Sequence, residues 1–250
     1  MILMYHEISE GKSPGAVPVN EFRKQMEYLK DCGKYDIVNL DNYVDHLNDR
    51  VYRNPIAITF DDGYVSVKTR ALPIIKQLGI PIAIFVPVAH VGLFNAWDTK
   101  DGNPRIDILD WEPLAELSRE ALVTIGSHGL NHVSHGDLDE EADFHEISKS
   151  KEMLEDQLGI EAKYYAFPYG QIINIGRYSI DHAKKAGYKA ALSTFWSRKN
   201  SVKNIYSLNR LYIDGTETMD RFINKLESKI DTGFYIQKLK NVLFALGILK

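Results

Sequence analysis

The chain has 250 residues, of which 44% are hydrophobic and 26% are charged, the composition of an ordinary globular protein. Its formal net charge of −4 gives no reason to expect nucleic acid as a partner. Its single cysteine, Cys32, excludes an internal disulfide and a metal site built from several thiolates.

The first residues predict a β-strand rather than a targeting segment. Residues 2–5 are apolar, and the start of the chain has neither a basic segment nor the long apolar run of a signal peptide. No segment approaches the roughly eighteen apolar residues that a membrane-spanning helix needs. The sequence therefore predicts a cytoplasmic protein, with peripheral membrane association as an alternative.

Short apolar segments alternate with segments of helical spacing along most of the chain. Strands are predicted at residues 2–5, 36–40, 56–60, 82–86, 123–127, 164–167, 190–193 and 211–213. Helices are predicted after a cap at Asn20, and at residues 69–78, 140–158 and 181–186, each of the last three ending before a glycine. Such an α/β alternation fits a closed β/α barrel at least as well as an open doubly wound sheet. No G-x-G-x-x-G follows a strand, which weighs against a dinucleotide-binding fold.

Two segments lie outside this alternation. Residues 90–110 form a long polar insert, which predicts either a lid or binding loop, or a disordered insertion. Residues 234–250 place apolar side chains on one helical face, which predicts a helix that packs on the rest of the protein. Docking of that helix to a membrane surface or a partner is the alternative.

Adjacent carboxylates and paired imidazoles follow two of the predicted strands. Asp61 and Asp62 end the strand at 56–60, where two like charges repel each other and resist desolvation unless a cation compensates them. His128 and His132 are four residues apart after another strand. Two histidines and one carboxylate meet the ligand count of a catalytic zinc site, and the second carboxylate can act as a base. Spacing alone does not assign the two aspartates to these two roles.

His6 and Tyr169 also follow predicted strands directly. In a β/α barrel the carboxyl ends of the strands meet on one face, so these residues should lie near the aspartates and histidines. The Pro-Tyr-Gly turn at 168–170 can present a backbone N–H to a developing oxyanion, although a plain β-turn is the simpler interpretation.

Three motifs carry a resemblance: Thr-Phe-Asp-Asp-Gly at 59–63, Ser-His-Gly-Leu-Asn-His at 127–132 and Phe-Pro-Tyr-Gly at 167–170. In this order they resemble the polysaccharide deacetylases with the NodB homology domain, carbohydrate esterase family 4. The similarity covers roughly residues 1–213. It implies a distorted TIM-like (β/α) barrel of the NodB and glycoside hydrolase-deacetylase type. We expect this catalytic barrel to span residues 1–215, with a C-terminal helical extension at 216–250 packing on it.

The resemblance also implies an activity, which is metal-dependent hydrolysis of N-acetyl groups on the amino sugars of a glycan or glycan precursor. The implied cofactor is Zn²⁺ or another divalent metal such as Co²⁺, Ni²⁺ or Mn²⁺. Asp61 matches the catalytic base, and Asp62, His128 and His132 match the metal ligands. Tyr169 matches the residue whose backbone N–H helps to form the oxyanion hole.

The chain departs from the family pattern in two places. Ala166 stands where the family often has an arginine that orients the base, and Arg210 is a candidate substitute. No histidine follows His182 to act as the family's late general acid. The leaving amine would then receive its proton from Asp61, after Asp61 has accepted one from water, or from His6.

Five residues are predicted to contact substrate: His6, Tyr64, Pro168, Trp111 and Arg210. The expected substrate is an N-acetylated glycan or a lipid- or nucleotide-linked sugar. An open groove with exposed aromatics such as Trp97 or Trp111 would indicate a glycan, whereas a closed pocket would indicate a small amide or cyclic imide.

Two further functional classes stay open as alternatives. A catalytically weakened glycan-binding relative is disfavoured because both aspartates and both histidines are present. An iron oxygenase with the same two-histidine, one-carboxylate ligands is disfavoured by the α/β pattern.

Overall fold

The computed structural model describes residues 1–11, 13 and 15–227. In chain order the strands are β1 (Ile2–Tyr5), β2 (Glu7–Ile8), β3 (Ala16–Val17), β4 (Ala57–Phe60), β5 (Ile82–Val86), β6 (Val123–Ser127), β7 (Tyr164–Ala166), β8 (Ala190–Leu192) and β9 (Leu211–Tyr212). The α-helices are α1 (Val19–Asp31), α2 (Leu40–Asp45), α3 (Leu72–Leu78), α4 (Ala96–Thr99), α5 (Trp111–Ser118), α6 (Glu140–Leu158), α7 (Ser179–Lys185) and α8 (Met219–Glu227).

Seven strands of the described chain form one parallel sheet in the order β8-β7-β6-β5-β4-β1-β9, while β2 and β3 pair separately. Their side chains are almost wholly buried, as expected where helices cover a parallel sheet. The end strands β8 and β9 do not pair with each other in the described part of the chain, so the barrel is open at that seam. The predicted distorted β/α barrel is confirmed.

The predicted strand at residues 36–40 is wrong. The side chain of Asn39 accepts a hydrogen bond from the Asn42 N–H at 2.8 Å and caps α2. Ile37 forms only an isolated bridge with Ile56. The other seven predicted strands match β1 and β4–β9 to within one residue at an end.

The predicted cap of α1 is also wrong, because Pro18 is the N-cap residue and Asn20 lies inside the helix. The helix predicted at 69–78 begins as a π-helical turn at Val67–Ala71 and continues as α3. The helix predicted at Glu140–Leu158 is α6 in full, with Asp139 as its cap.

The insert at residues 90–110 is an ordered loop rather than a disordered segment. It contains α4, and Asn95 at the start of that helix is fully buried. The Asn95 side chain accepts a hydrogen bond from the Ile106 N–H at 2.7 Å, which joins the two halves of the loop. A bridge between Tyr64 and Ile108 attaches the loop to the segment that follows β4.

Helix α8 packs on the barrel through α1. The rings of Tyr28 and Phe222 meet edge to face at 6.4 Å, and the Tyr28 hydroxyl donates to Glu227 at 2.6 Å. The helix predicted at 234–250 lies outside the described residues, and the domain boundary at 215 stays a prediction. Among the residues that the structure describes, no helix has both the length and the apolar character needed to cross a membrane.

Candidate active site

The two aspartates occupy a sharp turn at the carboxyl end of β4. The Asp61 N–H donates to the Tyr5 carbonyl at 2.9 Å and so extends the pairing of β4 with β1. Asp62 then adopts a left-handed backbone with φ 68°. Gly63, at φ 62°, is required because a Cβ there would lie 2.4 Å from Cγ1 of Val86. The turn therefore fixes both carboxylates at one edge of the sheet.

His128 is held by backbone contacts on both sides of β6. Its N–H donates to the Val86 carbonyl at 2.8 Å, and its Nδ1 lies 2.7 Å from the Ala166 carbonyl oxygen. A carbonyl oxygen only accepts, so Nδ1 carries the proton and Nε2 presents its lone pair. Burial lowers the pKa of His128 to about 4, ahead of the opposing effect of Asp61, so the ring is neutral at neutral pH.

The loop that carries His132 is fixed by Glu146 of α6. The Glu146 carboxylate accepts hydrogen bonds from the N–H groups of Leu130 at 3.2 Å and Asn131 at 2.9 Å. His132 follows with a left-handed backbone, at φ 53°. These contacts bring the second imidazole over Asp62.

Three ligand atoms meet at the centre of the site. Oδ1 of Asp62 lies 3.5 Å from Nε2 of His128 and 3.2 Å from Nε2 of His132, and all three residues are buried. Ligand atoms of the three lie within 4.8 Å of one another. Asp62 Oδ1 is buried without a hydrogen-bond partner in the described chain, as expected of a group made to hold a cation. The donors fit a divalent metal with Zn²⁺-like preferences.

Asp61 has a different partner. Arg210 binds both of its carboxylate oxygens, with Nη1 2.6 Å from Oδ1 and Nη2 2.7 Å from Oδ2. Burial acts to raise the pKa of Asp61, but the charge and hydrogen bonds of Arg210, together with His128 and His6, outweigh it and hold that pKa below its usual range. The arginine also donates through Nε to the Ser193 carbonyl at 2.8 Å, across the seam between β8 and β9. Arg210 thus pairs with Asp61, and its role as the substitute for the motif arginine stays a prediction.

Tyr169 lies at the rim of the site. Its ring meets that of His132 at 5.0 Å, and 45% of the residue is exposed. Its backbone is left-handed, at φ 59°. The described chain has four non-glycine residues with positive φ, and three of them, Asp62, His132 and Tyr169, lie in this site. Backbone strain of this kind is typical of functional sites.

A pocket of about 190 Å³ opens above these residues. Besides the aspartates, histidines and Tyr169, its walls include His6, Glu7, Tyr64, Trp97, Asp98 and Tyr212. His6 and Tyr64 therefore line the pocket, and their contact with substrate stays a prediction. Glu7, Asp98 and Tyr212 belong to no recognised motif and were not predicted.

Three residues predicted to contact substrate do not line the pocket. Trp111 opens α5 and packs partly buried against the hydrophobic core. Pro168 packs against Gly129, since a Cβ added to Gly129 would lie only 3.2 Å from Cγ of Pro168. Arg210 is fully buried and reaches the site only through Asp61. None of the three is therefore placed to contact a ligand in this pocket.

Comparison with known proteins agrees with this geometry. The family model for polysaccharide deacetylases matches residues 48–191. A Bacillus subtilis protein named as a polysaccharide deacetylase, YxkH, is 26% identical over 85% of this chain and 70% of its own. The poly-beta-1,6-N-acetyl-D-glucosamine N-deacetylase of Escherichia coli is 22% identical, and the match covers 84% of this chain but only 35% of that protein.

Solved structures share the fold. The Streptococcus pyogenes deacetylase PplD, in complex with acetate, superposes with a TM-score of 0.74 at 22% identity, covering 90% of this chain and 97% of that one. IcaB from Ammonifex degensii gives a TM-score of 0.73 at 21% identity, covering 90% and 94%. With the family model matching more than half of its length, the chain belongs to the polysaccharide deacetylase family.

Proposed function

We propose that the protein is a metal-dependent hydrolase that removes N-acetyl groups from the amino sugars of a glycan or glycan precursor. The observation that carries this proposal is the convergence of Asp62, His128 and His132 beside an aspartate held by Arg210. The family membership and the E. coli N-deacetylase among the relatives support the reaction class. The match covers only 35% of that relative, so the identity of the substrate is part of this proposal and is not taken over from the relative.

Asp62, His128 and His132 would hold the metal, with Zn²⁺ the first candidate and Co²⁺, Ni²⁺ and Mn²⁺ the others. A divalent ion bound there would polarise the acetyl carbonyl and lower the pKa of a water molecule. The N–H of Tyr169, on the rim of the same pocket, would donate to the developing oxyanion.

Asp61 would accept the proton from the attacking water. Its carboxylate lies 3.9 Å from Nε2 of His128, so it is next to the ligand cluster without belonging to it. Arg210 fixes its orientation and keeps it ionised. By lowering the pKa of Asp61, the same arginine also favours later release of the proton that Asp61 accepts from water. The leaving amine would receive its proton from Asp61 or from His6, which lies on the pocket wall.

Arg210→Gln is expected to move the acid limb of activity to higher pH. Burial raises the pKa of Asp61 and Arg210 lowers it, so losing the arginine leaves burial less opposed. Asp61 then becomes protonated at a higher pH, and the base is lost earlier as pH falls. The measurement is kcat/KM against pH, with exposed Arg119→Gln as the control. Arg210→Lys, which keeps the charge, should shift less.

Removing one partner of this buried pair also costs about 3–5 kcal/mol of folding free energy, so the melting temperature of each variant has to be measured. A folded Arg210→Gln protein with an unchanged acid limb would refute the role given to Arg210.

The proposed reaction predicts release of acetate from N-acetylated oligosaccharides. Activity should disappear with a chelator and return when Zn²⁺ is added. Polymeric, lipid-linked and nucleotide-linked N-acetylated sugars are the substrates to compare, with a small amide and a cyclic imide alongside. Cleavage of the small amides alone would favour the small-substrate alternative, and full activity in chelator would rule out metal dependence.

A further inference from the structure

Three residues of the loop at residues 90–110 line the pocket, namely Trp97, Asp98 and Ile106, and Asp98 is the charged one among them. The Trp97 ring stacks on the His132 ring, with centroids 3.8 Å apart and planes at 19°. On its other side it meets His90 edge to face at 5.1 Å. Trp97 is therefore fixed between two imidazoles, and this fixes the position of the residue that follows it.

Asp98 is a half-buried carboxylate whose negative charge has few hydrogen-bond donors beside it among the described residues. Its carboxylate receives a single long side-chain hydrogen bond from the described residues, from Asn95 Nδ2 at 3.4 Å. No lysine or arginine in the described part of the chain forms an ion pair with it. Burial, followed by the like charge of Asp62, raises the pKa of Asp98, and these two effects outweigh the opposing ones of Asn95, His132 and His6. A ligand that fills the pocket would displace water from this carboxylate and would have to supply hydrogen-bond donors in its place.

The backbone beneath Asp98 is held in place before any ligand binds. The Asp98 N–H donates to the Asn95 carbonyl at 3.1 Å, and the Asn95 amide donates to the Pro104 carbonyl at 3.0 Å. The Leu109 N–H donates to the Gly63 carbonyl at 2.9 Å, which joins the loop to the turn that carries both catalytic-site aspartates. Asp98 thus has a fixed position relative to the ligand cluster.

Asp98 lines the pocket together with three tyrosines, Tyr64, Tyr169 and Tyr212. Burial is the main cause of the raised pKa of Tyr64, Tyr169 and Tyr212, and the Asp98 charge adds to it at all three. These tyrosines all line the pocket, so one carboxylate acts on them together. A molecule bound above the metal ligands would contact Asp98.

Resting on the proposed function, we propose that Asp98 determines specificity by accepting hydrogen bonds from hydroxyl groups of the N-acetylated pyranose. Sugars offer hydroxyl donors beside the acetamido group, whereas a simple amide or acetyl ester offers none. A substrate without those hydroxyls would desolvate Asp98 and leave it unpaired, which is how buried polar groups reject an analogue. The choice of a sugar over a small amide would then depend on this loop.

The test compares two substrates of the zinc-loaded enzyme, an N-acetylglucosamine oligosaccharide and p-nitrophenyl acetate. Asp98→Asn should lower the ratio of their kcat/KM values, oligosaccharide over ester, by about tenfold to a hundredfold, mainly through KM of the oligosaccharide. Asp101→Asn, an exposed change in the same loop, is the matched control and should leave that ratio unchanged. An unchanged ratio in Asp98→Asn, or loss of its zinc, would overturn the proposal.

A binding measurement separates this proposal from the proposed function. Calorimetric titration of the oligosaccharide into zinc-loaded Asp61→Asn, with and without Asp98→Asn, should show a Kd about tenfold higher in the double variant. Equal Kd values would overturn the role of Asp98 even if the wild-type enzyme deacetylates the sugar. If the double variant has the higher Kd but the wild-type enzyme releases no acetate, Asp98 is still a sugar contact. The proposed reaction is then rejected.

Discussion

Asp61→Asn is expected to lose turnover while keeping its metal. Asparagine has the shape of aspartate and can still accept a hydrogen bond from Arg210, but it cannot take a proton from water. Loss of a general base typically costs about 10²–10⁴-fold in rate. The measurements are acetate release from an N-acetylated oligosaccharide and the zinc content of the purified protein.

The neighbouring position supplies a matched control. Asp62→Asn makes the same chemical change one residue along, but it alters a carboxylate that lies against both imidazoles and has no arginine partner among the described residues. It should lose the metal, whereas Asp61→Asn should not. Turnover at the normal rate in Asp61→Asn would remove the base assignment, and loss of zinc in that variant would make Asp61 a ligand.

The sequence predicted the centre of the site well because its residues directly follow strands. Buried parallel strands are continuous apolar segments, so their ends can be located to within a residue in this chain. Asp61, His128 and Tyr169 come from β4, β6 and β7, whose carboxyl ends lie on the same side of the sheet. Local order along the chain was therefore enough to place them together.

The pairing of Arg210 with Asp61 spans 149 positions, and sequence could offer it only as a candidate. The pair forms because Arg210 lies at the open seam between β8 and β9, and this position depends on the folded chain rather than on any motif. The Asp98 position has a similar origin, since it depends on the hydrogen bonds of buried Asn95 within an irregular loop. Such long-range packing leaves no periodic signal in the sequence.

The wrong prediction of a strand at residues 36–40 is the opposite case. The sequence there contains a local helix-cap signal, but the prediction followed the apolar residues around it. The segment is short and partly apolar, which favours a strand. Asn39 inside it is a strong helix cap, and its side chain bonds the Asn42 N–H. Trp111 packs against the core instead of lining the pocket for a related reason, because an aromatic residue beside a loop can equally well face the core.

Zn²⁺ should raise the melting temperature of the wild-type chain but not that of His128→Ala. A ligand that binds only the folded state stabilises it by about 2.7 kcal/mol at a hundred times its Kd. For a chain of this size that corresponds to a rise of roughly 5–10 °C. His128→Ala removes one of the three ligand groups that the site provides, so both the rise and the zinc content should be lost.

The comparison has to be made within each variant, with and without zinc. His128 is buried and its Nδ1 donates to Ala166, so the alanine variant is expected to be less stable even without metal. The difference in melting temperature between the zinc-loaded and zinc-free forms of one variant does not include that loss of stability. His145→Ala, on the exposed face of α6, should keep the full rise. An equal rise in His128→Ala would mean that the metal binds elsewhere, and the Asp62, His128 and His132 cluster would then lose its proposed role.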